Sequence, residues 1–240
     1  KDSGAPILFV KHDEYFDREE LYGTPGGDYP DNAERFICFA RAILETCRRG
    51  PFLPDLIHCN DWQTSLVPVY LKTLYRNDAV LGKIASLLTI HNLGYQGLFP
   101  PEAMELAGLP PDLFTLHYLE YYGHMNFLKG GILFADIVTT VSERYSQEIQ
   151  TAEYGQGLEG VLRECRDKLH GILNGIDYRV WNPATDPYLP ANYGPNDLSG
   201  KKACKKALQE RVGLPPKEDV PLLGTISRLA LQKGFDLIAE

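Results

Sequence analysis

Leu87-Leu88-Thr89-Ile90-His91-Asn92-Leu93-Gly94-Tyr95 joins a short apolar run directly to a polar, turn-forming cluster. Four further segments repeat the arrangement. Leu56-Ile57 runs into His58-Cys59-Asn60-Asp61-Trp62, and Ile137-Val138-Thr139-Thr140-Val141 runs into Ser142-Glu143. Ile172-Leu173 leads to Asn174-Gly175-Ile176-Asp177, and Leu222-Leu223-Gly224-Thr225-Ile226 leads to Ser227-Arg228. Short apolar runs bounded by turn residues read as strands. In an open parallel α/β sheet, ligands bind outside the carboxyl ends of the strands. Chemically able side chains recurring at that place predict one active site.

Helical patterns alternate with these strands. Asp31 or Asn32 can cap a helix whose buried face carries Phe36, Phe39, Ala40, Ile43 and Leu44. Thr64–Tyr75 is amphipathic, Leu116–Phe134 predicts a long helix, and Arg144–Thr151 begins another. Ile7–Lys11 adds an apolar, strand-length run. The alternation predicts βαβ units and a mostly parallel sheet. Beyond residue 180 the composition shifts to a connector containing Pro183, Pro187, Pro190 and Pro195. A lysine-rich helix over Ser199–Val212 and a strand–loop–helix unit at 221–240 follow. The expected division is 1–168 for a first domain and 169–240 for the connector and the opening of a second. Lys1 and the uncapped 234–240 segment suggest an internal piece of a longer protein.

A formal net charge of −8 argues against nonspecific binding to nucleic acid or anionic membranes. No apolar stretch approaches the roughly 20 residues of a membrane helix, and Ile7–Val10 is too short for a signal peptide. Five cysteines, an odd number without a CxxC pair, fit free thiols in a reducing compartment. No HExxH motif or dense His/carboxylate cluster suggests a metal.

Each candidate residue carries a plainer alternative. Arg228 ends a strand and Lys233 opens a helix five residues later, a pairing suited to a diphosphate or equally to a solvated surface. His91 can donate to a sugar hydroxyl or move a proton, or it can belong to a turn built by Asn92-Leu93-Gly94. Asp61 beside Trp62 suits a sugar, yet Asp is also a good helix N-cap. Asn174-Gly175 is either a tight turn or an amide held toward a ligand. Gly155-Gln156-Gly157-Leu158-Glu159-Gly160 spells GxGxxG, but the fingerprint requires a strand immediately before it, and Glu148–Tyr154 looks helical. A mobile glycine-rich loop is the better reading there, which counts against an NAD-dependent oxidoreductase.

The ordered set of segments resembles the bacterial glycogen synthase and plant starch synthase family. The matches are Glu14-Tyr15-Phe16-Asp17-Arg18 with Leu21-Tyr22-Gly23, His58–Gln63, Thr89–Gly97, Asn126–Gly131, Val141-Ser142, Tyr154-Gly155 with Gly157-Leu158, Gly171–Asp177, and Ser227-Arg228-Leu229 with Gln232-Lys233-Gly234. The resemblance implies a GT-B type α/β fold with two Rossmann-like domains. It also implies transfer of glucose from ADP-glucose to the non-reducing end of an α-1,4-glucan with retention, without a metal or other cofactor. By motif, Arg228 and Lys233 resemble the diphosphate clamp, Asn174 the cleft asparagine, and His91 and Asp61 residues near the transferred glucose. Tyr22 and Asn92 resemble donor-site residues. Gln63 stands where some relatives carry His. The implied location is the cytoplasm of a bacterium or the plastid of a plant. The rival readings are a noncatalytic glucan-binding module and a GT-B enzyme using another nucleotide sugar.

Overall fold

The computed structural model describes residues 4–50, 52–229 and 233–238. Two compact units divide between Asn174 and Gly175. In the first, helix α1 (Asp13–Phe16) leads to a small hairpin, β1 (Gly23–Thr24) with β2 (Gly27–Asp28), and then to the long helix α2 (Asn32–Arg49). Strand β3 (Leu56–Asn60) is followed by helices α3 (Asp61–Thr64) and α4 (Leu66–Lys72), then strand β4 (Ala85–Ile90). Strand β5 (Leu98–Phe99), helix α5 (Ala103–Ala107) and strands β6 (Glu120–Tyr121) and β7 (His124–Asn126) precede helix α6 (Phe127–Phe134). Strand β8 (Ile137–Thr140), helices α7 (Glu143–Glu148) and α8 (Glu159–Glu164), and strand β9 (Leu169–Gly171) complete the unit.

The central sheet has the order β3-β4-β8-β9, and all three pairings are parallel. This is the parallel α/β architecture the sequence implies. One face, carrying Cys59, Leu88, Ile90 and Val138, is buried under α3, α4 and α6. The glycines of α6 permit that contact. A Cβ on Gly131 would lie 2.6 Å from Ser65 Cβ and 2.9 Å from Leu88 Cδ2. Helix α2 adds Phe36, Ile37, Ala40 and Leu44 to the same core, while Phe39 and Ile43 pack at its margin. The opposite sheet face holds Leu56, His58, Leu87, Thr89, Ile137, Thr139 and His170 by register. Leu56, His58, Ile137 and His170 on it are exposed.

Several elements differ from their sequence reading. Of the expected helix over Leu116–Phe134, residues 116–119 are turns, Glu120–Asn126 is a hairpin, and α6 starts only at Phe127. Its turn residues Tyr122 and Gly123 both have positive φ (48° and 81°), the backbone that two-residue hairpins require. The Glu120 carboxylate accepts the Gly123 N–H at 2.7 Å and fixes that turn. Asn126 caps α6, its side-chain oxygen accepting the Lys129 N–H. The predicted Thr64–Tyr75 helix breaks at Ser65 and stops at Lys72. Ile7–Lys11 forms no strand, since no described strand runs beside it. Strand β9 ends at Gly171, so Ile172 and Leu173 lie beyond it and are exposed. The division expected after residue 168 falls immediately before this strand.

The second unit contains helix α9 (Ser199–Arg211), as its lysine-rich pattern predicts. Leu222–Ile226 forms no strand; it is largely exposed and without a ladder partner among the described residues. A strand gains its hydrogen bonds only from a neighbour, so its apolar pattern alone cannot form one. Among the described residues, the predicted helix after Lys233 is a 3-10 turn at Asp236–Ile238. Gln232 and the 239–240 end of that expected helix lie outside the described residues. Among the described residues, no helix is long and apolar enough to cross a membrane.

Replacing Gly131 with Ala should force α6 away from Ser65 and Leu88, and overpacking of this kind costs about 1–3 kcal/mol. Denaturant unfolding of the variant is expected to show a lowered midpoint; an unchanged midpoint would contradict the close α6 packing.

Candidate functional site

Parallel pairing of β3 with β4 sets Asn60 beside Thr89, so the residues following both strands emerge together. Asp61 turns the chain into α3 with φ +54°, a left-handed conformation that a non-glycine residue rarely adopts. Its carboxylate accepts the backbone N–H of His91 at 2.7 Å. Asp61 is therefore not the side-chain N-cap that its position allowed. Asn60 occupies the cap position and makes no side-chain cap bond. Instead its Oδ1 lies 3.0 Å from His91 Nε2. An amide oxygen can only accept, so in this contact Nε2 is the donor. His91 is exposed, so the ring is accessible to a ligand.

The turn expected at Asn92-Leu93-Gly94 forms. The Asn92 Oδ1 accepts the Gly94 N–H at 3.0 Å, forming the expected Asx turn. The turn leads into Gly97 (φ +64°), which lies against the indole of Trp62; a Cβ there would sit 2.5 Å from Cε3. Trp62 packs edge-on to Phe36 at 4.7 Å and lies 6.5 Å from the ring of Tyr22. Tyr22 is about half exposed at the margin of this aromatic cluster.

Beside it lies an open depression of about 530 Å³, lined by Asp28, Tyr29, Trp62, Tyr95, Tyr121 and Gln156 among others. Aromatic faces with a few polar groups are the usual lining of a small-ligand site. The glycine-rich loop expected to be mobile forms part of its wall. The Gln156 carbonyl accepts from Gln96 Nε2 at 2.9 Å and from the Tyr121 hydroxyl at 3.1 Å. Buried Gln96 is held in turn by the Asn126 Nδ2, which donates to its Oε1 at 2.7 Å. Residues 151–157 before α8 are turns with no strand, so the structural context of a dinucleotide fingerprint is missing.

The segment carrying Tyr22 is anchored at the start of α2. The Arg18 guanidinium donates to both Asp31 oxygens, at 2.8 and 2.5 Å. That hydrogen bond holds the Asp31 carboxyl below the ordinary carboxylate range. Asp31 thus occupies the N-cap position without capping α2, because its side chain is engaged with Arg18. On the core face of β3, burial pushes the Cys59 thiol up to about 12, so it is no nucleophile near neutral pH. Among the described residues no three His, Cys, Asp or Glu side chains stand close enough to hold a metal ion.

Tyr22, Asp61, His91 and Asn92 thus gather around the ends of β3 and β4. Asn174 lies three residues past β9 and is exposed. Arg228 and Lys233 belong to the second unit and are exposed within it. Asn60 escaped the sequence reading because its role depends on which strand pairs with β3. Its signal was present in the motif itself, directly before Asp61.

The family model of the starch synthase catalytic domain matches residues 1–164. The chain belongs to the starch synthase catalytic-domain family. It is 52% identical over 233 residues to a glycogen synthase of Geotalea daltonii, covering 97% of this chain and 48% of that protein. A glycogen synthase of Thermodesulfovibrio yellowstonii is 48% identical over 234 residues, which are 98% of this chain and 47% of that protein. The catalytic domain of starch synthase IV from Arabidopsis thaliana, bound to ADP and acarbose, superposes with a TM-score of 0.80 at 40% identity. That match covers 92% of this chain and 45% of the other. The chain therefore spans about half the length of the curated glycogen synthases it matches. Within this starch synthase family member, the Asp61 carboxylate and the His91 N–H tie the ends of β3 and β4 together.

Asp61→Ala should remove the acceptor of the His91 N–H and cost about 1–3 kcal/mol. Asp61→Asn, which keeps an acceptor and tolerates a left-handed backbone, is expected to melt close to the parent. Equal loss in both variants would contradict the role given to the carboxylate contact. Acid supplies a second test. Asp31 has its folded pKa depressed, so its contribution is complete above the unfolded value and lost as pH falls through the folded one. The protection of the amides of residues 18–31, measured against their intrinsic exchange rate at each pH, is expected to fall selectively as pH drops through the folded-state value of Asp31. Protection that falls uniformly across the unit would argue against this local release.

Proposed function

We propose that this chain is part of an α-glucan synthase that transfers glucose from ADP-glucose to the non-reducing end of an α-1,4-glucan with retention of configuration. The observation that carries this reading is the Asp61–His91–Asn60 arrangement at the ends of β3 and β4. It occurs in a chain about half identical to glycogen synthases over nearly its whole length.

In this reading the glucosyl group passes through an oxocarbenium-like state. His91 presents its ring to a sugar hydroxyl, and Asp61 fixes the backbone from which that ring projects. Tyr22 and Asn92 line the donor site, and Asn174 offers an amide to the same ligand. Arg228 and Lys233 hold the charge that develops on the departing diphosphate, taking the place a metal ion fills in other nucleotide-sugar enzymes. The partners are then ADP-glucose and an α-glucan, with no nucleic acid, membrane or further cofactor. Such an enzyme would work in carbohydrate metabolism in a bacterial cytoplasm, or in the plastid of a plant.

Transfer of labelled glucose to glycogen by the whole protein, from ADP-glucose and UDP-glucose in parallel, tests the reading. Transfer from ADP-glucose is the expected result, and transfer from UDP-glucose alone would reassign the donor. Glucan affinity with no transfer would replace the enzyme by a binding module. Arg228→Ala or Lys233→Ala is expected to lower turnover by about 10²–10³, and a loss below about threefold would remove the clamp assignment.

A further inference from the structure

Arg35 and Asn32 are polar side chains almost wholly buried on the first turn of α2, at 3% and 2% exposure. Burying an arginine is unfavourable unless its donors are satisfied. Here the guanidinium faces backbone oxygens rather than a carboxylate. Its Nε donates to the Tyr15 carbonyl at 2.7 Å, one Nη donates to the Leu21 carbonyl at 3.0 Å, and the other donates to Asn32 Oδ1 at 2.6 Å. The Asn32 Nδ2 then donates to the Tyr22 carbonyl at 2.8 Å, which also accepts the Tyr29 N–H at 2.9 Å. Two adjacent carbonyls, of Leu21 and Tyr22, are therefore held by one buried pair of side chains.

The segment so held has little regular structure of its own. Between α1 and α2 it contains only the two-residue strands β1 and β2. Its Tyr22 ring lies against Phe36 and Trp62, and Trp62 adjoins Asp61 in the chain. Its residues Asp28, Tyr29 and Pro30, with Asn32, form one wall of the open depression. The Arg18 and Arg35 guanidinium carbons both lie over the Tyr29 ring, at 4.7 and 5.2 Å from its centroid.

We propose that Arg35, acting through Asn32, is a positioning residue that sets Tyr22 and the 22–30 wall relative to Trp62 and Asp61. The planar fork of arginine is what the arrangement uses. It reaches three acceptors in fixed directions, whereas a lysine ammonium on a flexible stem keeps the charge without that geometry. Arg35→Lys therefore removes the fork and keeps the cation. The functional arm of this inference rests on the glucosyl-transfer reading; the structural arm does not.

The test uses the whole protein and two variants, Arg35→Lys and Asn32→Ala, the second covering the case in which the first does not fold. Hydrogen exchange is expected to accelerate by about tenfold or more at residues 21–31 in each variant, with the amides of β4 and β8 unchanged. Unchanged exchange at 21–31 would overturn the proposal, as would equal acceleration throughout the unit. In transfer assays, Arg35→Lys is expected to lower kcat/KM for the nucleotide sugar by about tenfold. Introduced together with Tyr22→Ala, it should cost less than about twofold beyond Tyr22→Ala alone, because residues acting in one unit do not add. Equal losses in both backgrounds would reduce Arg35 to general structural support. A parent protein with no transfer from any donor would defeat the glucosyl reading, while the exchange measurement would still decide the clamp.

Discussion

The parallel register of β3 against β4 is the constraint on which the site depends. Five successive residue pairs, from Leu56 with Ala85 to Asn60 with Thr89, bring the two strand ends level. Side chains alternate faces along a strand, so a slip by one residue would exchange the buried Cys59 and Leu88 with the exposed His58 and half-buried Leu87. It would also separate Asp61 from the His91 N–H. A polar seam reinforces the register on the opposite face. His58 Nε2 meets Thr89 Oγ1 at 2.7 Å, and Thr89 Oγ1 meets Thr139 Oγ1 at 2.7 Å. Core packing on one face and hydroxyl contacts on the other thus favour the same alignment.

Buried and half-buried cations serve the irregular parts of the chain in a recurring way. Lys129 donates to the carbonyls of Leu116 and Glu120, holding the stretch before the β6–β7 hairpin. Lys168 donates to the carbonyls of Leu133 and Ala135 at the end of α6. Burial pushes both ammonium groups below the ordinary lysine range. In each case a long side chain satisfies carbonyls that no strand or helix partner reaches. Arg35 follows the same logic with the Tyr15 and Leu21 carbonyls.

The sequence made the parallel sheet legible because strands β3, β4 and β8 are apolar runs punctuated by turn residues. It also showed that function gathers at their ends, since topology fixes where an α/β sheet leaves room. The Glu120–Asn126 hairpin was hidden because the aromatic and apolar residues around it satisfy a helical period, and only the backbone of Tyr122-Gly123 reveals the turn. Leu222–Ile226 shows the opposite limit, an apolar pattern that specifies a strand but cannot supply its neighbour. Asn60 and Arg35 were unreadable for another reason. Their roles lie in contacts between segments far apart in the chain, which no local spacing encodes.

The left-handed backbone at residue 61 also narrows the alphabet open to sequence drift there. Glycine, asparagine and aspartate enter that region at low steric cost, whereas a β-branched residue opposes it before its chemistry is tried. Of those three, only a side chain ending in an oxygen can also receive the amide hydrogen of His91. Shape and hydrogen bonding therefore act as successive filters, and few residues other than aspartate and asparagine pass both. A change of chemistry at this site would be easier to reach through residues around Asp61 than through Asp61 itself.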